Sequence, residues 1–338
     1  MAASRRYTLH DVANRSGVSY QTVSRVINNH PYVAEATRNR VLKAISDLGY
    51  RPNRAAQSLA GHHSFTLGMT AFGMDYYGPA QMVINIERAA RDVGYDLIFT
   101  SVSDTTLESI RTAVDHVRRW EVDGLLMIAP THEVTCEDLE ALCGNTPVVQ
   151  IGTRPGARAP SVVVDQALGS RLITEHLLAL GHRQFCEISG PRQWFDAEAR
   201  HQGWLATLRE AAIAPGRALE GDWTARSGYA LAQQLIAEGV PFTALVVGND
   251  QMALGAIRAL QEHGLRVPED VSVVGFDDIP EAAFFSPPLT TIRQEFGMLG
   301  SKAVEYLLSL IAAPDQPPEQ RVTTPAFVPR QSAGPCRG

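Results

Sequence analysis

The chain has few cysteines and no long uninterrupted run of apolar residues. Its four cysteines among 338 residues, Cys136, Cys143, Cys186 and Cys336, form no Cys-x-x-Cys pair, which argues against a zinc site and a disulfide framework. No stretch approaches the roughly 18 apolar residues of a membrane span, and the N-terminus lacks the apolar segment of a signal peptide. We therefore expect a cytoplasmic protein without a membrane span or a metal.

Signatures of the common catalytic and cofactor sites are also missing. The sequence has no Gly-x-Ser-x-Gly, no Walker A motif and no Gly-x-Gly-x-x-Gly after its first predicted strand. A nucleophile elbow or a phosphate-binding loop would need one of these patterns. We expect neither an enzyme nor a bound cofactor.

The charged residues are unevenly distributed. The net charge is −6, yet residues 1–60 hold nine Lys or Arg and three Asp or Glu, leaving 21 basic and 33 acidic residues for the rest. Such asymmetry indicates a basic head that meets a polyanion and a body that does not. An ordinary solvated basic surface is the alternative interpretation.

Two short helical patterns flank Gly17 near the start of the chain. Thr8 can cap the first helix, with Asp11 completing a capping box, and Ser19 can cap the second. The apolar residues predicted to face a shared core are Leu9, Val12, Ala13, Val23, Val26 and Ile27, and in a third helix over 35–48 Val41, Leu42, Ile45 and Leu48. The spacing is typical of a helix-turn-helix.

The second helix carries polar side chains suited to reading DNA. Tyr20, Gln21, Ser24 and Arg25 face outward, and in the major groove Gln pairs with adenine and Arg with guanine. A plain amphipathic surface helix would show the same periodicity. The basic head favours the DNA-binding interpretation.

Two segments of the head carry a resemblance to a known family. Val18-Ser-Tyr-Gln-Thr-Val-Ser-Arg-Val-Ile-Asn28 and Gly49-Tyr-Arg-Pro-Asn-Arg-Ala-Ala-Gln-Ser-Leu-Ala60 resemble the DNA-binding head and hinge of LacI/GalR transcriptional regulators. The resemblance implies that a hinge helix orders on operator DNA and inserts Leu59 into the minor groove. A linker whose Leu59 packs on the body is the alternative. The DNA-binding residues expected are Thr8, Ser19, Tyr20, Gln21, Thr22, Ser24, Arg25, Asn28, Asn53, Arg54, Ala56, Gln57, Leu59 and Ala60.

Beyond residue 63, buried strands alternate with helices. Strands are predicted at 65–71, 95–100, 124–128, 147–151, 161–164, 184–189, 243–247 and 271–276. The helices between them are predicted at 80–93, 105–120, 135–143, 167–180, 197–213, 226–238 and 250–263. Two such sets predict an α/β body of two lobes, each a parallel sheet flanked by helices.

The fold class we predict is a small all-α head followed by a two-lobed body like that of periplasmic binding proteins, as the resemblance implies. The predicted domains are 1–52 for the helix-turn-helix, 53–62 for the hinge, 63–330 for effector binding and dimerisation, and 331–338 for a tail. Lobe crossovers are predicted near 162–165, 290–294 and 321–325. The segment from Ala313 is rich in proline and has no leucine heptad, so a tetramerising coiled coil is not expected.

Ligands of open α/β sheets bind at the carboxyl ends of the strands, which selects candidates by position. Asp165, Asn249 and Asp277 follow predicted strands, and Arg200 is expected to start a helix. With Trp223 as a stacking platform, such donors and acceptors suit a sugar. For one Asp, a helix N-cap is an equally ordinary role, and Trp223 could be a core residue. The effector residues that position and resemblance together predict are Tyr76, Gly78, Pro79, Met82, Asp165, Arg200, Trp223, Asn249, Asp277, Gln294 and Phe296.

The resemblance implies a homodimeric repressor that binds palindromic operator DNA and is released by a small sugar, a galactoside or another disaccharide. One departure concerns Gly152, because galactoside-binding members place an acid there. A nucleobase, a nucleoside or a phosphorylated metabolite is the alternative effector. A sugar receptor without a transcriptional role is the alternative of another class, which the missing secretion signal opposes.

Overall fold

The computed structural model describes residues 7–27, 32–50, 63–129 and 135–336, and the chain divides into two compact units, Met1–Phe65 and Thr66–Gly338. The first unit contains the helices α1 (Leu9–Ser16), α2 (Tyr20–Ile27) and α3 (Glu35–Leu48). Its core consists of Val12, Ala13, Val23, Val26, Val41, Ala44 and Tyr50. The predicted helix-turn-helix is confirmed.

The residues that the sequence predicts as helix caps do cap these helices. The Thr8 N–H donates to Asp11 Oδ2 at 2.8 Å while the Asp11 N–H donates to Thr8 Oγ1 at 3.4 Å, which is the predicted capping box. Gly17 ends α1 at a φ of 65°, and the Thr22 N–H donates to Ser19 Oγ. One core prediction was wrong. Leu42 is 49% exposed, since it lies one residue round the helix from the inward stripe, and Ala44 is buried instead.

The first lobe of the body is a six-stranded parallel sheet between helices. Its strands are β1 (Thr66–Phe72), β2 (Asp96–Val102), β3 (Gly124–Ile128), β4 (Val148–Ile151), β5 (Ser161–Val164) and β11 (Gln320–Thr323), in the order β11-β5-β4-β3-β1-β2. Its helices are α4 (Tyr77–Asp92), α5 (Leu107–Arg118), α6 (Cys136–Cys143) and α11 (Phe296–Ala312). Every residue of β3 is buried because helices cover both faces of the sheet.

The second lobe repeats this plan with four parallel strands. They are β6 (Phe185–Ser189), β7 (Ala218–Glu220), β8 (Ala244–Val247) and β9 (Ser272–Val274), in the order β7-β6-β8-β9. The flanking helices are α7 (Gln166–Ala179), α8 (Phe195–Glu210), α9 (Ala225–Ala237) and α10 (Asp250–Glu262). A separate antiparallel pair joins β10 (Thr291–Arg293) to β12 (Ala326–Val328).

The chain passes between the lobes three times, after β5, after β10 and after β11. The proline-rich segment after Ala313 supplies β11, which pairs with β5. Residues named a tail in the sequence pack on the second lobe: the Val273 N–H donates to the Ser332 carbonyl at 2.8 Å, and the Cys336 N–H donates to the Leu180 carbonyl at 2.9 Å. Of the helices within the described ranges, none is long and apolar enough to cross a membrane.

Candidate functional site

A cavity lies between the two lobes of the body at the carboxyl ends of their strands. It holds about 510 Å³ of empty space, part of which is open to solvent. Its lining residues are Tyr76, Tyr77, Gly78, Pro79, Met82, Ile128, Gly152, Trp194, Asp196, Arg200, Trp223, Asn249, Asp277 and Gln294. Residues far apart in sequence converge here because parallel strands end at one edge of each sheet.

Most of the predicted effector residues come together at this cavity, and two do not. Asp165 caps α7, accepting a hydrogen bond from the Leu168 N–H at 2.9 Å, so the ordinary capping role applies to it. Phe296 lies in the first lobe's core, where its ring contacts Tyr77 edge-on at 6.1 Å. Arg200 lies in the second turn of α8 rather than at its start. The predicted residues that line the cavity are Tyr76, Gly78, Pro79, Met82, Arg200, Trp223, Asn249, Asp277 and Gln294.

Sequence reasoning missed Tyr77, Ile128, Trp194 and Asp196. Asp196 has the appearance of an ordinary acid in the first turn of a helix, where it also complements the helix dipole. Trp194 lies just before α8, in the loop that follows β6. Its place in a loop after a strand was the one signal in the sequence that could have marked it as a cavity residue. Gly152, singled out as a departure, lines the cavity at a φ of 73°.

Four side chains form a closed hydrogen-bonded circuit, here called the polar ring: Arg200, Gln166, Gln294 and Asp277. Arg200 Nε donates to Gln166 Oε1 at 2.9 Å, and Gln166 Nε2 donates to Gln294 Oε1 at 3.0 Å. Gln294 Nε2 donates to Asp277 Oδ1 at 2.7 Å, which also accepts from Arg200 Nη2 at 3.5 Å. Since Gln166 and Gln294 stand at two lobe crossovers, the ring ties the cavity to the segments that would bend if the lobes moved.

Backbone geometry is unusual at two lining residues. Trp223 has a φ of 71° and Asp277 a φ of 112°, values that are costly for residues other than glycine. Asn249 holds the first of them by donating from Nδ2 to the Trp223 carbonyl at 3.0 Å, while its Oδ1 caps α10 by accepting from the Met252 N–H. The Asp277 N–H donates to the Ile292 carbonyl at 2.7 Å. Hydrogen bonds to neighbouring segments therefore hold the backbone in place at both residues.

Burial dominates the electrostatics of the cavity. It raises the pKa of Asp277 to about 6, although Arg200 and Gln294 pull in the opposite direction. Burial likewise raises the pKa of Asp196, opposed by Arg200 and Gln166. The pKa of Tyr77 rises to about 12, first through burial and then through the nearby charges of Asp277 and Asp250. The lining thus offers acceptors and amide donors for a polar ligand.

The raised pKa of Asp277 gives a stability prediction with a definite sign. The pKa of Asp277 is about 6 in the folded protein, compared with the ordinary value of 3.8 expected in the unfolded chain. The carboxyl therefore stabilises the fold fully below pH 3.8, and this contribution is lost as pH rises through about 6. The change corresponds to about 3 kcal/mol. We expect Asp277→Asn to remove this dependence, so that the variant gains stability relative to the parent protein between pH 4.5 and 8 in urea unfolding. Asp92→Asn, at an exposed helix end, is the control and should gain nothing; a pH-independent difference between Asp277→Asn and the parent would contradict the assignment.

On the head, the outward face of α2 presents several of the predicted DNA-binding residues. Tyr20, Gln21 and Arg25 are exposed, Thr22 and Ser24 are half-buried, and Ser19 is exposed at the start of the helix. The Thr8 hydroxyl donates to Asp11 Oδ2 at 2.8 Å, so it serves the capping box. Asn28 and the predicted hinge residues Asn53, Arg54, Ala56, Gln57, Leu59 and Ala60 lie outside the described residues.

Within the ranges that the structure describes, no group of three or more His, Cys, Asp or Glu side chains is arranged to hold a metal ion. The cavity instead brings together carboxylates, carboxamides, one guanidinium and aromatic rings. Such a set binds a small polar molecule through hydrogen bonds and stacking. The body is thus a two-lobed ligand-binding module, and the head is a helix-turn-helix.

Comparison with known proteins agrees with both parts. Residues 8–53 match the model of bacterial regulatory proteins of the lacI family, and residues 174–333 match a periplasmic binding protein-like domain. The lactose operon repressor of Escherichia coli (strain K12) is 40% identical over 90% of this chain and 84% of its own length. The chain belongs to the lacI family of bacterial regulatory proteins.

Two further relatives show how far the similarity extends. The HTH-type transcriptional repressor PurR of Haemophilus influenzae (strain PittEE) is 35% identical over 96% of this chain and 98% of its own length. A crystal structure of the lac repressor dimer bound to operator and the anti-inducer ONPF has a TM-score of 0.85 and 38% identity, covering 98% of this chain and all of that one (100%). The similarity therefore includes both the head and the body.

Proposed function

We propose that this protein is a sequence-specific transcriptional repressor whose affinity for operator DNA is controlled by a small sugar bound between its lobes. The observation that carries the proposal is that one chain combines two features: the polar ring in the cavity, and an exposed row of side chains on α2 that are suited to reading DNA. A sugar presents hydroxyls that need paired donors and acceptors together with apolar C–H faces. The carboxylates, amides and rings of the lining meet both needs.

The charges of the lining favour a neutral effector over a phosphorylated one. Arg200 carries the positive charge among the described lining residues, and its guanidinium already donates to Gln166 and Gly248 and pairs with Asp277. Asp196 and Asp277 add two carboxylates. A phosphate would meet repulsion from these two carboxylates, which a neutral ligand would not.

A neutral nucleobase could stack on the same aromatic rings, so the sugar needs a direct test. In a thermal-shift screen of neutral disaccharides, monosaccharides, phosphosugars and nucleobases, we expect a neutral sugar to raise the unfolding temperature. Stabilisation by a nucleobase alone would contradict the sugar assignment. The relatives are named as repressors. We propose that this protein likewise acts on DNA in the cytoplasm and has no catalytic activity. Hydrolysis of a bound sugar by the purified protein would contradict the proposed lack of activity.

The proposed switch follows from the position of the polar ring at the lobe crossovers. A ligand that hydrogen-bonds to Arg200 of the second lobe and also packs on Tyr76 and Pro79 of the first stabilises one relative position of the lobes. If that position separates the proposed hinge helices, residues 53–62, operator affinity falls, and the ligand is an inducer. The coupling needs the ligand to bind the DNA-incompetent state more tightly, with about 1–3 kcal/mol typical of allosteric proteins.

Arg25 tests the proposed DNA contact. Its side chain is exposed on α2, and an arginine there would pair with a guanine edge. We expect Arg25→Ala to weaken binding to an operator selected from random duplexes by about 1–3 kcal/mol, with little effect on random DNA. Anisotropy titrations at a fixed salt concentration measure both. An equal loss on operator and random DNA would show that Arg25 contacts phosphate alone.

We also propose that the protein acts as a homodimer on a palindromic operator, because one recognition helix contacts few base pairs. Supporting the dimer, a similar structure is a dimer, and the second lobe exposes Phe284 at 88% and Leu254 at 45%. We expect Phe284→Asp to raise the dimer dissociation constant at least about hundredfold in analytical ultracentrifugation, since it would bury a charge at the interface. Trp120→Asp, on the first lobe, is the control. A Phe284→Asp protein that remains dimeric would place the interface elsewhere.

A further inference from the structure

A buried acid and a buried histidine face each other in the second lobe, outside the lining of the cavity. Glu187 belongs to β6 and His201 to α8, and His201 Nδ1 lies 2.5 Å from Glu187 Oε2. Both side chains are almost fully buried. A titratable pair in such a position is costly unless each partner satisfies the other, so its protonation state matters for the elements that it joins.

The surroundings of the pair are apolar. In the neighbouring strands, Ala218 of β7 and Val246 of β8 lie opposite Glu187. Because side chains alternate along a strand, Glu187 shares a face of the sheet with Phe185. The apolar cluster on that face, to which α7, α8 and the strands contribute, includes Ile173, Leu177, Phe185, Trp204, Leu208 and Val246. The Trp204 ring lies 5.7 Å from that of His201.

Few charged side chains act on Glu187. Besides His201 they are Arg192, in the loop after β6, and Glu198 of α8, and these two pair with each other at 3.0 Å. Burial raises the pKa of Glu187, whereas the hydrogen bond from His201 opposes that rise. A carboxyl with a raised pKa stabilises the fold fully below its ordinary value of 4.5, and this contribution is lost as pH rises through the folded pKa. With one shared proton the pair is neutral overall; without it, a net negative charge is buried.

The pair joins the sheet to the end of α8 that carries cavity residues. Asp196 and Arg200 line the cavity from the first two turns of α8, and His201 directly follows Arg200. On the neighbouring side, α8 packs closely on α7, since a Cβ atom on Gly203 would lie 2.5 Å from the Ala167 carbonyl oxygen. The hydrogen bond to β6 therefore helps to fix the helix at the level of Arg200.

We propose that the Glu187–His201 pair is a proton-dependent switch that holds the start of α8 against the sheet while it carries its proton and releases it as the pH rises. In the released state Asp196 and Arg200 would have to be ordered on binding, which lowers the affinity of the cavity for a polar ligand. The switch requires no particular ligand, so it goes beyond the proposed function.

Hydrogen exchange of the full-length, ligand-free protein at pH 5.5 and pH 8 tests the switch, with rates corrected for the intrinsic effect of pH. In the parent we expect protection of α8 peptides to fall at least about tenfold more than that of α9 peptides, as a change of one pKa unit implies. Glu187→Gln keeps an acceptor for the His201 N–H but removes the titrating carboxyl, so the extra fall should disappear. Glu210→Gln, an exposed acid at the end of the same helix, is the control and should keep it.

Every other outcome overturns the switch. An equal fall in α8 and α9 would show that the pair affects overall stability alone, and an extra fall that persists in Glu187→Gln would place the titrating group elsewhere. Should Glu187→Gln fail to fold, as judged by circular dichroism, the comparison of α8 with α9 in the parent decides. These measurements use neither sugar nor DNA, so their failure would leave the sugar-controlled repressor in place, and failure of every sugar to bind would leave the switch in place.

Discussion

Replacing Arg200 by methionine is expected to abolish the response to effector while leaving operator binding in its absence intact. The guanidinium donates to Gln166 and Gly248 and pairs with Asp277 Oδ1 at 3.5 Å. Its loss leaves these buried acceptors without their donor and removes the ligand's charged partner. Truncating a buried charged group that binds a ligand typically costs roughly 3 kcal/mol or more, so effector affinity should fall at least about hundredfold.

Two variants separate loss of binding from loss of folding. Arg192→Met removes an exposed arginine of the same loop–helix region, one paired with Glu198 at 3.0 Å, and should leave the effector response unchanged. Arg200→Met combined with Asp277→Asn removes the uncompensated carboxylate and should restore stability without restoring the effector response. An Arg200→Met protein that still releases operator at the parent's effector concentration would contradict the proposed site.

His201→Leu is expected to destabilise the body by about 3–5 kcal/mol. His201 Nδ1 bonds to Glu187 Oε2, and both side chains are almost fully buried, at 7% and 3% exposure. Burial raises the pKa of Glu187, whereas the hydrogen bond from His201 opposes that rise. Without His201 the carboxylate is buried alone, so the loss should grow from pH 5 to pH 8 as Glu187 is forced to ionise.

The double variant Glu187→Leu with His201→Leu is expected to recover most of that stability, because an apolar pair replaces a buried ionic one. Urea unfolding at both pH values measures the complete cycle. Arg258→Leu provides the comparison: it breaks an exposed i,i+4 pair with Glu262, and should change the free energy of unfolding by at most about 0.5 kcal/mol. Additive losses in the double variant would show that the two buried side chains do not stabilise each other.

Position along the chain was sufficient to predict much of the cavity. Asn249 and Asp277 follow parallel strands, and the ends of such strands converge whatever the rest of the sequence contains. Asp165 also follows a strand, yet its carboxylate turns back onto the Leu168 N–H and caps a helix. A cap and a ligand-binding acid have the same local sequence, so only the three-dimensional contacts distinguish them.

Other features depended on tertiary structure that no local pattern expresses. Trp194 gains its place from Gly73 and Tyr76, which lie in the other lobe. Strand β11 is polar and follows a proline-rich stretch, and its strand conformation comes from pairing with β5 some 160 residues earlier, as Gln320 opposite Ser161 illustrates. The family resemblance supplied what periodicity did not, namely that Gln294 would belong to the cavity.

The central claim is that a sugar in the cavity controls binding to DNA, and one titration tests it directly. Operator affinity is measured by mobility shift at a fixed salt concentration, with and without each member of a neutral sugar and glycoside panel, for the parent protein and Arg200→Met. The account predicts that at least one member weakens operator binding of the parent at least about fivefold and leaves Arg200→Met unaffected. Unchanged operator affinity with every sugar, together with a shift caused by a nucleobase or a phosphorylated metabolite, would contradict it.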